Sequence, residues 1–390
     1  MSDELKWSEY DFTKIPFDDL VRVGQRTMLY RDMFTVSWLL GRFCNYKCSY
    51  CWPYARSDRK DHRPTELCLK TIDSIKEQAR ARGFNSFHFS LSGGEPTFHP
   101  GYLDILSHLA SDVANTNYTS VHMTSNCSRN MKWFEQYVKT VAPFHRASIT
   151  ASYHREHVNT QEKRANFADK LCFAQEHDVQ VTINQVMVPE WFDELWEESL
   201  YFHNRGINVT LKPQSDPTAS KVVEGYTDEM LQKLYNGMPQ RAFTESKNVY
   251  VKRPTATFRK QPDPIYQEGK KVPQHFQVEF KDKENKEWYM DQAERFNAFN
   301  FNKFSGWECS SGYRSIIIRE PDGSIKRSYS CHDKPLGNIE TGFKLFDKPV
   351  NCISPTCVSS ADSKIPKRAP GTQMPLWPGD ESFKKGNNND

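Results

Sequence analysis

The chain has 390 residues, of which 37% are hydrophobic and 26% charged, with a formal net charge of +3. That length suffices for one large domain and a smaller companion. The near-neutral balance argues against nucleic acid or an acidic membrane surface as partner, and the lack of a long apolar run argues against a membrane span.

The opening residues, MSDELKWSEYDF, are acidic and mixed, unlike a secretory signal, so a cytoplasmic protein is the default expectation. Residues 1–33 read as a polar lead-in. From 34 to 235 strands and helices alternate. Strands are expected over 34–40, 87–91, 121–124, 147–152, 179–188 and 207–211, where β-branched and aromatic residues cluster or alternate with polar ones. Helices are expected over 65–82, 102–110, 131–141, 166–176, 190–204 and 227–235. Pro64-Thr65 opens the first and Gly83 stops it. Six strand–helix units in succession specify a parallel sheet with helices outside it. Six fall short of a closed eight-unit barrel, so the expected fold class is α/β, a partial (β/α)6 barrel. In such folds the chemistry sits at the C-terminal ends of the strands.

Residues 236–300 are rich in Lys, Gln, Pro and aromatics and read as an insertion or bridge, with a hairpin within 277–290 around Asp282–Asn285. Residues 301–363 form a small C-terminal domain with little helix signal. From 364 to 390 Pro, Gly, Lys and Asn dominate, and disorder is expected.

Ten cysteines are many for a reducing compartment, where clustered cysteines more often bind metal than form disulfides. Seven fall into two groups: Cys44, Cys48 and Cys51, and then Cys309, Cys331, Cys352 and Cys357. Cys68, Cys127 and Cys172 stand alone and read as small buried side chains. The first group follows the first strand directly. Three thiolates on one loop can hold three irons of a [4Fe–4S] cluster and leave the fourth iron open. Zinc prefers four ligands, often in two pairs, and no partner pair sits nearby. Ser92-Gly93-Gly94-Glu95-Pro96 follows the second strand. Its glycines let the backbone approach a ligand closely, and its carboxylate can accept from an ammonium group. In the second group, Cys309 and Gly312 precede a Pro321-Asp322-Gly323 turn between two β-type runs, which predicts a hairpin. Residue chemistry alone leaves that group open between a structural zinc knot and a second cluster.

Cysteine-x-x-x-cysteine-x-aromatic-cysteine after the first strand, with Gly-Gly-Glu-Pro after the second, resembles the radical S-adenosylmethionine (radical SAM) superfamily. The resemblance implies that Cys44, Cys48 and Cys51 hold a [4Fe–4S] cluster whose open iron chelates the methionine end of S-adenosylmethionine. Reductive cleavage then yields a 5′-deoxyadenosyl radical that abstracts a substrate hydrogen. Tyr50 would lie along the adenine, while Gly93, Gly94 and Glu95 would meet the methionine. Ser125 and Asn126 would line the pocket and Ser152 would bond the ribose. His154 and Lys212 are weaker candidates to face the substrate, and Asn184 and Gln185 lie where relatives line the pocket.

Cysteine-x-x-glycine, the Pro-Asp-Gly hairpin, Cys331 and Gly337-Asn338-Ile339 resemble the C-terminal extension of the SPASM/twitch subgroup. Four cysteines fit the shorter, twitch-like form with one auxiliary [4Fe–4S] cluster. Two clusters and S-adenosylmethionine are therefore the expected cofactors. The expected reaction is net oxidation or crosslinking of a peptide, or dehydrogenation of a small polar metabolite. A flavodoxin- or ferredoxin-type donor would supply electrons. The short lead-in weakens the peptide reading unless a separate leader-peptide-binding protein assists. A non-catalytic electron-transfer protein is the alternative, though such a protein needs no methionine-binding loop.

Overall fold

The computed structural model describes residues 16–25, 33–217, 222–235, 278–290, 302–329, 331, 333–357, 359–363 and 365–376. In chain order its principal elements are β1 (Leu20–Gln25), β2 (Met33–Leu39), α1 (Thr65–Arg80), β3 (Ser86–Ser92), α2 (Tyr102–Ser111), β4 (Tyr118–Ser125), α3 (Met131–Val141), β5 (Arg146–Tyr153), α4 (Gln161–Glu176), β6 (Val179–Met187), α5 (Phe192–Asn204), β7 (Asn208–Pro213) and α6 (Asp228–Tyr235). Short strands follow: β8 (Val278–Asp282), β9 (Glu287–Met290), β10 (Glu308–Cys309), β11 (Ser315–Ile318), β12 (Ser324–Lys326), β13 (Gly337–Asn338), β14 (Gly342–Phe343), β15 (Val350–Asn351) and β16 (Lys367–Arg368). The chain divides into two compact units. One comprises Met1–Ser37, Thr71–His88 and Pro262–Asp390, the other Trp38–Lys70 and Phe89–Gln261.

In the second unit the strands β4-β5-β6-β7 lie in sequence order. The pairs β4–β5, β5–β6 and β6–β7 are parallel, with Thr124 opposite Thr150, Ser152 opposite Asn184 and Val186 opposite Lys212. This is the α/β architecture of successive strand–helix units expected from the alternation. Side chains alternate across the sheet because the strand period is two. One face is buried under helices: Tyr153 stacks edge-on against Phe167 of α4 and Phe202 of α5, and Gln185 Nε2 donates to the Leu195 carbonyl of α5. The opposite face carries partly exposed polar residues, among them Ser90, Thr124, Thr150, Ser152, Thr182 and Asn184. Gln185 therefore belongs to the helix face, and only Asn184 of that pair lies on the open one.

Glu198 of α5 is buried among cations. It pairs with Arg155 and with Arg164 at 3.4 Å, and accepts from Tyr153 Oη at 2.9 Å. Those partners offset the cost of placing a carboxylate under the sheet.

The first unit contains a six-stranded sheet in the order β15-β10-β16-β1-β8-β9. Its pairings are antiparallel. A second antiparallel run, β11-β12-β13-β14, contains the expected Pro321-Asp322-Gly323 hairpin. The hairpin over β8 and β9 was also legible, with Asn285 at φ 64 in its turn.

Two boundaries differ from the expected ones. Within the nominal lead-in, Leu20–Gln25 is an interior strand, and the 278–290 hairpin pairs with it rather than standing as a separate bridge. Residues 365–376, expected in a disordered tail, are folded: Lys367 and Arg368 form β16 between β1 and β10. Composition misled there because backbone pairing accepts any residue with a free N–H, and both cations are buried and paired. Arg368 meets Glu308 at 2.7 Å, and Lys367 Nζ donates to the Asp362 and Ile365 carbonyls. The expected regions 236–277, 291–300 and 377–390 lie outside the described residues.

Candidate functional site

Cys44, Cys48 and Cys51 lie on the loop that leaves β2. Its stem is pinned by the Phe43–Ser57 bridge, with Ser57 N donating to the Arg42 carbonyl at 2.7 Å. It is pinned again from β3, where Gly94 N donates to Gly41 O at 2.9 Å and Glu95 N to Phe43 O at 2.6 Å. This close approach explains both glycines. A Cβ on Gly93 would come within 2.3 Å of Gly41 O, and one on Gly94 within 2.3 Å of the Arg42 and Phe43 carbonyls. What the glycines admit here is the backbone of the cysteine loop itself.

The Glu95 carboxylate is buried and accepts four hydrogen bonds. Oε1 takes Thr97 N at 3.1 Å, Thr97 Oγ1 at 2.6 Å and Ser125 Oγ at 2.8 Å; Oε2 takes Asn126 N at 2.6 Å. Burial pushes its carboxyl up, and these donors pull against that. So this carboxylate is already engaged by its own chain, joining the ends of β3 and β4. Asn126 continues the link: its Nδ2 donates to Asn45 Oδ1 at 2.9 Å and lies 3.8 Å from Cys44 Sγ. Cys127 beside it adopts φ 54, and its carbonyl accepts from buried Lys170 Nζ at 2.6 Å.

The far side of the loop meets the segment after β5. Tyr50 Oη and His154 Nδ1 are 2.9 Å apart with the rings stacked. Tyr46 stacks on His157 at 4.1 Å. Ser49 N donates to Glu156 Oε2 at 2.8 Å, and Lys47 N to His157 Nε2 at 3.1 Å. The run Arg155-Glu156-His157, directly after the candidate His154, was the missed part of the site. Three polar residues directly after His154 at a strand end were the available signal. Ligand atoms of Cys48, Glu156 and His157 all lie within 4.8 Å of one another. Burial, then Glu156 and the other two cysteines, push the Cys48 thiol up to about 12, and burial raises Cys44 and Cys51 as well. Three thiols, one buried and two half-buried, that resist ionisation by themselves suit binding to metal ions, which deprotonate their thiol ligands.

Ser152 is half-buried on the open face, opposite Asn184. Ser125 is buried and faces Glu95. Lys212 is half-buried on β7, opposite Val186. His154 is largely buried, and desolvation lowers its pKa to about 4.

The second group converges in the first unit. Cys309, Cys352 and Cys357 share a core with Leu20, Val23, Phe280, Trp288, Phe304 and Trp307. Cys331 is half-buried, and Ser328 Oγ donates to its Sγ at 3.0 Å. Electrostatic coupling ties Cys309 to Cys331, Cys352 and Cys357. Burial lifts Cys331 to about 11 and Cys357 to about 12. Four thiols and two buried cations, Arg327 and Lys367, fit an anionic iron–sulfur group. The lone cysteines Cys68, Cys127 and Cys172 are buried, as expected.

Residues 38–202 match the family described as the radical SAM superfamily. That family implies a [4Fe–4S] cluster and S-adenosylmethionine. No curated protein matches the chain. Among solved structures, native anSMEcpe with bound AdoMet and Kp18Cys peptide is 12% identical, covering 80% of this chain and 79% of its own, at TM-score 0.49. SuiB of Streptococcus suis is 14% identical, covering 79% of this chain and 64% of its own, at TM-score 0.44. Likenesses at these identities and TM-scores carry no argument about this chain. No described helix is long and apolar enough to cross a membrane.

Proposed function

We propose that the chain is a radical SAM enzyme of the SPASM/twitch type that oxidises a polar substrate and holds two [4Fe–4S] clusters. The observation that carries the reading is the loop bearing Cys44, Cys48 and Cys51, clamped to Gly41–Phe43 by the Gly93-Gly94-Glu95 turn. When loaded, the first cluster supplies the electron that cleaves S-adenosylmethionine, and the second offers an acceptor for the electron lost by the oxidised substrate. Cys309, Cys331, Cys352 and Cys357 would hold the second cluster with all four irons ligated.

The chain's own share is binding, orientation and exclusion of water. Tyr50, held by His154, would lie along the adenine. Ser152 and Asn184 offer hydroxyl and amide groups at the strand ends for the ribose and substrate. The open face of β3–β7 is built of hydroxyl, amide and imidazole groups, which suits a substrate rich in hydrogen-bonding groups, either a peptide segment or a small polyol. Removal of one hydrogen atom, one electron and one proton from such a substrate is a two-electron oxidation.

The test is anaerobic reconstitution with iron and sulfide, then dithionite and S-adenosylmethionine, with 5′-deoxyadenosine followed by mass spectrometry. Formation by the native chain and not by Cys48→Ala supports the proposal. No 5′-deoxyadenosine from an iron-loaded native chain, with peptides and polyols present, refutes it and favours an electron-transfer protein.

A further inference from the structure

The second cysteine group has a feature that its four thiols do not account for. Arg327, directly after β12, is buried. Its Nε donates to Ser311 O at 3.1 Å and its Nη1 to Asp333 at 2.5 Å. Its Nη2 has no partner among the described residues. A buried guanidinium with an unsatisfied N–H is costly unless something else accepts it. The same guanidinium lies within electrostatic reach of Cys309 and Cys331; burial lowers its pKa, but these thiols and Asp333 outweigh that and raise it.

The local sequence is arranged to seat this side chain. Gly312 adopts φ 86, and a Cβ there would meet Phe346 at 2.7 Å and Arg327 Cγ at 2.9 Å. Ser311 Oγ donates back to the Arg327 carbonyl at 2.6 Å. The glycine two residues beyond the Cys309-Ser310 pair thus clears the space that Arg327 fills. The next residue, Ser328, donates its hydroxyl to Cys331 Sγ at 3.0 Å. Across the site, Lys367 stands opposite Cys309 in the β10–β16 ladder and is buried. The site therefore carries two fixed cations and a hydroxyl donor against its four sulfurs.

Resting on the two-cluster reading above, we infer that Arg327 and Ser328 tune the second cluster: the free Arg327 N–H donates to one of its sulfurs, Ser328 donates to Cys331, and together they raise its reduction potential. Charge and hydrogen bonds at the sulfurs stabilise the more negative, reduced form of such a cluster. A raised potential is what an acceptor of substrate electrons requires. Both are positioning and tuning residues rather than ligands.

The test uses the full chain with Cys44, Cys48 and Cys51 all changed to Ala, reconstituted anaerobically, so that only the second site is loaded. About four irons and a titratable EPR signal are expected in this parent. Adding Arg327→Gln should keep the iron and move the midpoint to a lower potential. Ser328→Ala should lower it by less, and Arg327→Lys, which keeps charge but not the planar fork, should fall between. An unchanged midpoint in Arg327→Gln at full iron content overturns the inference and leaves the two-cluster reading standing. If Arg327→Gln does not hold iron, Arg327→Lys and Ser328→Ala decide, and unchanged midpoints in both overturn it. If the parent itself binds no iron, the two-cluster reading fails and the inference falls with it.

Discussion

Asn126 donates its backbone N–H to Glu95 Oε2 at 2.6 Å while its side-chain amide donates to Asn45 Oδ1 at 2.9 Å. One residue at the end of β4 thus ties the Gly-Gly-Glu turn after β3 to the cysteine loop after β2. Three strand ends become one rigid platform, as a pre-organised site needs.

Iron content separates the two cysteine groups. The reconstituted native chain is expected to bind about eight irons. Cys48→Ala and Cys352→Ala should each retain about four, but only Cys352→Ala should still form 5′-deoxyadenosine. Colorimetric iron and sulfide analysis beside the mass-spectrometric assay checks this. Equal loss of product in both variants would tie the second group to the cleavage step.

Gly94→Ala should damage the platform without touching a thiol. The new Cβ would lie 2.3 Å from two carbonyl oxygens, and overpacking of this kind costs about 1–3 kcal/mol. A lower melting temperature and poorer iron uptake are expected. A native-like variant would show that the loop yields more easily than its hydrogen bonds indicate.

Tyr50→Phe removes only the hydroxyl that meets His154 at 2.9 Å. The stacking ring stays, so S-adenosylmethionine affinity by calorimetry should fall by a small factor, about 1 kcal/mol or less. Tyr50→Ala removes the ring and should weaken binding distinctly more. Equal affinity in both would remove Tyr50 from the binding site.

Glu198→Gln leaves Arg155 and Arg164 without their shared carboxylate. Because both arginines are partly exposed, the expected cost is about 2 kcal/mol, below that of a fully buried pair. Chemical denaturation measures it. Iron binding should survive, since the partners of Glu198 are Tyr153, Arg155 and Arg164 rather than cluster-loop cysteines.

Much of the strand–helix order was legible in the sequence because its signals are local. Six strand–helix units follow from alternation and periodicity, and the edges of α3 coincide with 131–141. The Pro-Asp-Gly hairpin follows from turn chemistry. The Gly-Gly-Glu motif read as a place where the backbone could approach a ligand closely; in the structure the close approach is to the chain's own backbone. Its partner, the carbonyls of Gly41, Arg42 and Phe43, was not readable, since it comes from a loop some fifty residues earlier.

What the sequence by itself determined is the strand–helix order, the two cysteine groups and the resemblance that joins them to S-adenosylmethionine chemistry, all carried by residues close together in the chain. Only the tertiary structure decided that β1, the 278–290 hairpin and β16 build the sheet around Cys309, Cys352 and Cys357. It alone decided that Glu95 is occupied by Thr97, Ser125 and Asn126, and that Arg327 is buried beside the second group. Those facts rest on pairing and burial between segments far apart in sequence, and neither composition nor spacing encodes which distant segment supplies the partner.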